Sequence, residues 1–392
     1  MPYHLHRTRL TACLILMLAT SAATATGTAL PPSYTFDDGT RIALTSNLNW
    51  DINRISDAVP GTGDDEGWRR QEIGVLARKE GVFDLAVFYD IHNEAWLDAA
   101  LRVETKALLG TDAGKIRVGN MKLHAGLEGV AANRQMAFME NAVATQVFYP
   151  VARAGVTWSL VRPDYMVDAG IYGRDFDGNN PGGTQLLRAA WTPTTAAGAK
   201  AHVGIALTRD TPSGTINALG DYQLGGKRWN SRSTASLSAD RLLDTGLIGN
   251  VSEIQRQNLQ TLWMQGPWWV QGEYFFQQTE RHNGLGDYRA DGGYASAGFV
   301  FHAGPRQLLQ GMLTNPKVGS DQIGTEVVAR YGHLNLDSDG ITGGKLTEWT
   351  VGANWYVGPY VKLQLNYTEA RARRLDIPQA PRTLQLRTQF YF

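Results

Sequence analysis

The chain has 392 residues, 43% of them hydrophobic, with 37 basic and 37 acidic side chains. That length fits one large barrel or two ordinary soluble domains, and a net charge of zero singles out neither an anionic nor a cationic partner. The one long apolar run lies at the N-terminus, which excludes a helical inner-membrane protein.

Residues 1–25 predict a cleaved secretory signal. Arg7 and Arg9 supply the basic region, Leu10 to Ala19 the apolar stretch, and Ala23-Thr24-Ala25 the small-x-small cleavage pattern. Cleavage after Ala23 fits nearly as well. Leu10-Thr11-Ala12-Cys13 looks like a lipoprotein box, but the apolar run follows Cys13 instead of preceding it. Cleavage removes Cys13, the only cysteine, so the mature chain has no thiol, no disulfide and no thiolate chemistry. It also leaves two more acidic than basic side chains.

From Arg41 onward the sequence alternates with a period of two. Ile42, Leu44, Leu48, Trp50 and Ile52 share one face, opposite Arg41, Thr45, Asn47, Asn49 and Asp51. The pattern recurs at 346–357, where Trp349, Val351, Ala353, Trp355 and Val357 oppose Glu348, Thr350, Asn354 and Tyr356. Strands are predicted at 41–52, 69–79, 83–92, 97–106, 115–120, 153–161, 165–173, 185–192, 200–208, 255–265, 268–278, 292–303, 324–335, 346–357, 361–370 and 382–392. Segments of about ten residues exceed the five or six usual in soluble sheets and suit a tilted strand crossing a bilayer. The polar face needs water and the apolar face needs lipid. Residues 26–392 are therefore read as one all-β domain, a transmembrane antiparallel β-barrel of about sixteen strands with an inward-folded loop.

Short turns at 79–81, 162–164, 266–267 and 358–359 alternate with longer polar stretches at 57–67, 174–185, 279–291 and 336–345. That alternation gives a barrel one tight rim and one long-looped rim, with both termini in the periplasm. The region 209–254 is irregular, and 230–240 admits a further strand. Trp50, Trp68, Trp158, Trp268, Trp269, Tyr360 and Tyr391 sit near strand ends, as an interfacial aromatic girdle would. The last strand carries Leu384, Leu386, Phe390 and the terminal Phe392 on one face, broken by Thr388. Phe390 and Phe392 thus resemble the signal read by the outer-membrane assembly machinery.

Five motifs in order resemble the phosphate-selective porin O and P family. They are Val118-Gly119-Asn120-Met121-Lys122 followed by Leu127-Glu128 and Phe138-Met139-Glu140; Arg241-Leu242-Leu243-Asp244-Thr245-Gly246; Gly266-Pro267-Trp268-Trp269-Val270-Gln271-Gly272-Glu273-Tyr274; the 326–336 strand with Arg330-Tyr331; and Gly343-Gly344 through Gly352-Ala353-Asn354-Trp355-Tyr356 to Leu365-Asn366-Tyr367. Together they cover roughly residues 35–392. The resemblance implies a sixteen-stranded outer-membrane barrel of a Gram-negative bacterium, usually trimeric, passing phosphate or polyphosphate. Two departures stand out. Leu123-His124-Ala125 replaces the family's Pro-Phe, and Asn141 replaces its Arg, both where the family places a constriction loop.

In a pore, function is selection by charge in a narrow lumen. The stretch 121–152 is far longer than a hairpin loop and carries apolar residues that an exposed loop does not need, so it is the candidate constriction. The candidate anion-contacting residues are Lys122 and Arg134 on it and Arg153 at its exit, with Arg41, Arg102, Lys106, Lys115 and Arg117 on inward strand faces. The alternation fails at Asn120 and Lys122, which predicts that the chain leaves the wall near Gly119. The competing reading is structural: such cations pair with Glu104, Asp98, Glu128 and Glu140 and only hold the wall. Asp244-Thr245-Gly246 lacks the second triplet an aspartic protease needs. Asp177, Asn179, Asn180, Asp337 and Asp339 read as solvated loop. The expectation is a channel and not an enzyme, with no cofactor, no metal site and no nucleic-acid partner. The alternatives are a general or cation-preferring channel of the same fold, an outer-membrane lipase, for which no Ser–His pair stands out, and a soluble β-rich binding protein.

Overall fold

A strand with one apolar and one polar face must satisfy its backbone sideways, and here each long strand finds two antiparallel neighbours. The structure is a computed structural model that describes residues 30–57, 63–216, 222–223, 225–232, 237 and 241–392; the signal-peptide reading of 1–25 lies outside them. Among the described residues, sixteen long strands form the wall. They are β1 (Arg41–Ser56), β2 (Asp65–Lys79), β3 (Phe83–Asp90), β4 (Ala95–Glu104), β5 (Lys115–Met121), β6 (Arg153–Val161), β7 (Tyr165–Tyr172), β8 (Gly182–Trp191), β9 (Lys200–Pro212), β10 (Val251–Gln265), β11 (Trp268–Arg281), β12 (Tyr288–Phe301), β13 (Ile323–Ser338), β14 (Ile341–Val357), β15 (Val361–Arg374) and β16 (Arg382–Tyr391). Each pairs with the next, and β16 returns to β1 from Asn47↔Tyr391 to Ser56↔Arg382. Closure removes the free edges that hydrocarbon would not tolerate.

The expected alternation places side chains as follows. On β1, Thr45, Asn47, Asn49, Asp51 and Asn53 are buried, while Ile42 and Leu44 are exposed on the outer face. On β14 the outward series is Val357, Trp355, Ala353, Val351 and Trp349, followed by Thr347 and Lys345. Strand ends on the long-looped rim thus rise beyond the apolar band and turn polar on the outward face, while Leu334, Leu336 and Leu346 keep the inward face apolar.

That explains the main boundary errors. The stretch 336–345 was expected to be a loop, yet β13 and β14 join through Asp339-Gly340, with Gly340 at φ +74° supplying the left-handed turn residue. Likewise 279–291 shrinks to 282–287. Of the 230–240 region, Asn230–Ser231 pairs with Leu243–Asp244 and not with a wall strand, and 233–236 and 238–240 lie outside the described residues. The chain stays in the wall past Gly119, to Met121. Gly119 adopts φ +132° with Ala99 O so close that a Cβ has no room, and Asn120 behind it is buried. Trp269 and Tyr391 leave the girdle set, since both point inward: Trp269 is 2% exposed and bonds Glu326, and the Tyr391 hydroxyl meets Asn315. The gap between the strands predicted at 292–303 and 324–335 is also real. The tight rim carries a long connection, 302–322, between β12 and β13.

The apolar band generates a depth-dependent prediction. Val351→Arg faces lipid near mid-wall and should destabilise the barrel by about 2–4 kcal/mol, whereas Thr347→Arg, above the band, should cost about 0–1 kcal/mol. Denaturant unfolding from lipid vesicles measures both.

Candidate functional site

Residues 122–152 run inside the barrel, and the wall holds them largely by their backbone. Glu273 on β11 accepts hydrogen bonds from the amides of Leu127 and Glu128, at 2.8 and 2.9 Å. Arg330 on β13 donates to the Glu128 carboxylate and to Glu140 O, both at 3.0 Å, and its guanidinium lies 4.4 Å over the Phe138 ring. Asn354 on β14 donates to Ala137 O at 2.8 Å. Lys362 on β15 donates to Met136 O at 2.7 Å and Arg134 O at 3.2 Å. Arg387 on β16 reaches Met139 O and Glu140 while forming a two-pronged pair with Asp51, 2.7 Å on each arm. These cations are almost fully buried, and each finds oxygen acceptors in place of water.

Two further segments fill the interior. In 302–322, Arg306 makes a two-pronged pair with Glu326 at 2.5 and 2.7 Å and donates to Gln135 O at 2.9 Å. Asn315 donates to Arg134 O at 2.7 Å. From 225–248, Trp229, Leu242, Leu243 and Ile248 pack on the helix Val143–Phe148 and on wall residues Ile254, Phe275, Tyr288, Leu334 and Leu346. These segments fill much of the interior beside β10–β15.

Among the described residues a cavity of about 690 Å³ opens beside β1–β7. Seven basic residues line it, Arg41, Arg78, Arg102, Lys115, Arg117, Lys122 and Arg162, against five carboxylates, Asp84, Asp98, Glu104, Asp112 and Asp168. Four of the cations share one cross-strand row, because the register sets Arg41 opposite Arg78, Arg78 opposite Asp84, Asp84 opposite Arg102 and Arg102 opposite Arg117. Asp84 serves two guanidiniums, Arg102 at 2.7 Å and Arg78 at 3.2 Å. Lys115 pairs with Glu104 at 2.6 Å and Arg117 with Asp98 at 3.0 Å. Arg41 has Ser33 Oγ as its partner, at 3.0 Å.

Five of the eight expected cations thus converge on one cavity: Arg41, Arg102, Lys115, Arg117 and Lys122. Three do not. Lys106 is exposed on a short helix (Thr105–Leu109), because β4 ends at Glu104, so its expected inward strand position is wrong. Arg134 reaches Thr45 Oγ1 and Phe392 O, at 3.1 and 3.4 Å. Arg153, 5% exposed, donates to Asn180 O at 2.8 Å. All four carboxylates expected as partners are paired, including Glu128 with Arg330 and Glu140 with Arg387. Sequence reasoning missed Arg78, Arg162 and the wall anchors Arg306, Arg330, Lys362 and Arg387. Arg330, Lys362 and Arg387 were detectable as charges at inward positions of alternating strands. Phe390 and Phe392 have ring centroids 5.8 Å apart, and the Phe392 backbone pairs with Ser46 of β1 at 3.2 Å.

Comparisons follow the same line. The family described as Phosphate-selective porin O and P matches residues 42–392. A Caulobacter vibrioides protein is 25% identical over 311 residues, 74% of this chain and 60% of that relative. Porin O of Pseudomonas aeruginosa is 24% identical over 231 residues, 53% of each. The chain therefore spans just over half the length of these curated relatives. Outer-membrane expressed OmpT of Vibrio cholerae shares the fold with a TM-score of 0.59 at 12% identity, over 92% of this chain and 100% of that one. An anion-selective porin from Comamonas acidovorans does so with a TM-score of 0.55 at 9% identity, over 90% and 100%.

Two outcomes follow from the anchors. Arg330→Met leaves the Glu128 carboxylate buried without its cation and should cost about 3–5 kcal/mol, with partial recovery on adding Glu128→Gln; denaturant unfolding reads both. The second concerns Asp244 in the 225–248 segment. The hydrogen bonds from Arg228 hold its carboxyl down at about 2, below the ordinary 3.8, so the pair's contribution is present above 3.8 and is lost as pH falls through about 2. Trp229, stacked on Tyr288 with centroids 5.2 Å apart, should keep its buried emission down to that range and shift to the red below it. A Trp229→Phe variant isolates its signal.

Proposed function

The chain belongs to the phosphate-selective porin O and P family, an outer-membrane porin family with a closed sixteen-stranded barrel, and from that premise we propose that it is a passive diffusion channel for small inorganic anions, with phosphate or polyphosphate as the solute class. The observation that carries this reading is the row Arg41, Arg78, Arg102 and Arg117 on the wall of the open cavity, with one carboxylate between Arg78 and Arg102. In a narrow passage flanked by low-dielectric protein, such charges are less screened than in bulk water and raise the local anion concentration. No bond is made or broken: the protein is a channel and not an enzyme.

In this reading 122–152 is the constriction, Lys122, Lys115 and Arg117 complete the basic lining, and Arg134 and Arg153 serve as anchors. Lys106 adds charge only at the tight rim. Residues 1–25 act as the export signal, and the strand ending at Phe390 and Phe392 as the assembly signal. A homotrimer is supported by the face β3–β5, whose strands of 8, 10 and 7 residues present Leu85, Val87, Leu97, Leu101, Val103, Ile116 and Val118 outward without the polar collar found elsewhere. The second reading, a general or cation-preferring channel, is favoured by one observation: five carboxylates line the same cavity.

Reversal potentials in a planar bilayer under a salt gradient decide between them. The expected result is anion preference, a chloride conductance that falls on adding phosphate, and a severalfold weaker preference in the Arg78→Ala/Arg102→Ala variant. Cation preference in the wild type would overturn the anion assignment.

A further inference from the structure

The outer faces of β14 and β15 carry a patch that ion conduction does not use. From the tight rim upward, the outward side chains of β14 are Val357, Trp355, Ala353, Val351 and Trp349, and those of β15 are Val361, Leu363, Leu365 and Tyr367. At about 3.3 Å per residue and a tilt near 40°, Val357 to Trp349 covers roughly 20 Å, close to the height of the apolar band of such barrels. Tyr331 and Trp349, with ring centroids 4.7 Å apart, mark its upper limit. Above this line the outward residues become Lys345, Arg371 and Arg373, all exposed.

The register concentrates the charge. Lys345 stands directly opposite Arg373, and Thr347 opposite Arg371. Like charges directly opposed on paired strands are destabilising, unless an anion lies between them. Among the described residues no hydrogen bond or ion pair engages the side chain of Lys345 or Arg371. Arg373 meets Asp376 at 2.8 Å, but the two side chains are 69% and 89% exposed, so water competes with that pair. Of the carboxylates nearby, Glu369 accepts from Tyr367 Oη at 2.8 Å, Asp291 accepts from Tyr274 and Asn335, and Asp337 accepts from the Gly344 amide at 2.7 Å. The intervening residues Leu346, Ala370 and Ala372 are locked in the interior apolar cluster, so the strands form a rigid platform and the three cations stay outside.

We propose that this patch is a binding site for a phosphorylated glycolipid of the outer leaflet. Its phosphates lie among Lys345, Arg371 and Arg373, its sugars rest on the Tyr331–Trp349 ledge, and its acyl chains run down the apolar face of β14 and β15. Charge complementarity at headgroup height, directly above an unbroken apolar strip, selects an amphiphile over a free ion. The proposal rests on the outer-membrane placement and not on anion preference in the lumen.

The test is lipid retention by the full detergent-purified protein, read by native mass spectrometry. The probes are bisphosphorylated lipid A and the same lipid with its phosphates removed. Wild type should retain the bisphosphorylated lipid at least tenfold better than a K345A/R371A/R373A variant, and retain the dephosphorylated lipid no better than that variant does. The charge-conserving K345R/R371K/R373K variant should retain it as wild type does, and the two-lipid comparison on wild type needs no variant to fold. Equal retention of the two lipids, equal retention by wild type and the triple alanine variant, or displacement of the lipid by millimolar inorganic phosphate would each overturn the proposal. Conductance and reversal potential of the triple alanine variant in a plain phospholipid bilayer should match wild type, which separates failure here from failure of the channel reading.

Discussion

Peptide groups placed inside a barrel lose water and must find other partners, and in this protein the wall supplies cations for the purpose. Arg330, Asn354, Lys362 and Arg387 hold carbonyl oxygens of 134–140 from the four consecutive strands β13–β16, while Glu273 on β11 collects the amides of 127–128. A buried cation is costly unless its hydrogen bonds are met, and a buried carbonyl is costly unless a donor reaches it. Each solves the other's problem, so the inserted segment is positioned by wall residues one strand apart. The location of the open cavity, beside β1–β7, is the remainder after that packing.

The charge layout divides along the same line. Arg330 of β13, Lys362 of β15 and Arg387 of β16 are spent on structure, buried and bonded to oxygen acceptors. The cavity's Arg78, Arg102, Lys115 and Arg117, on β2, β4 and β5, stay 20–66% exposed in their ion pairs. Such pairs are weak in water, so an entering anion can compete for the guanidinium without having to break a buried network. The same residue type thus does two different jobs according to how much water the insert leaves beside it.

Much of the wall was legible in the sequence because a period of two is a direct consequence of strand geometry. Ile42 to Ile52 and Trp349 to Val357 announce their faces without any tertiary information. Legibility failed where the environment changes along a strand. Above the apolar band Lys345, Asn335 and Asp337 are polar on the outward face, so the ends of β13 and β14 imitate a loop. The convergence of Arg41, Arg102, Lys115 and Arg117 followed from the alternation, but Arg78 beside a turn did not stand out. The fate of Lys106 turned on a helix at a strand end. The 302–322 insert showed only as the gap between the strands predicted at 292–303 and 324–335; its seat inside the barrel did not, since Arg306 meets its partner Glu326 only through the fold.

The inserted segment also crosses the junction between the first and last strands. Arg387 of β16 grips Asp51 of β1 and Glu140 of the insert at once, and Arg134 bonds both Thr45 of β1 and the carbonyl of Phe392. The seam is therefore stitched from within as well as zipped by its own ladder. Sealing the cylinder and seating its plug are thereby coupled: a nascent sheet lacking its final strand lacks the Arg387 grip on Met139 and Glu140, and a finished one cannot part sideways at that seam without first unpicking it.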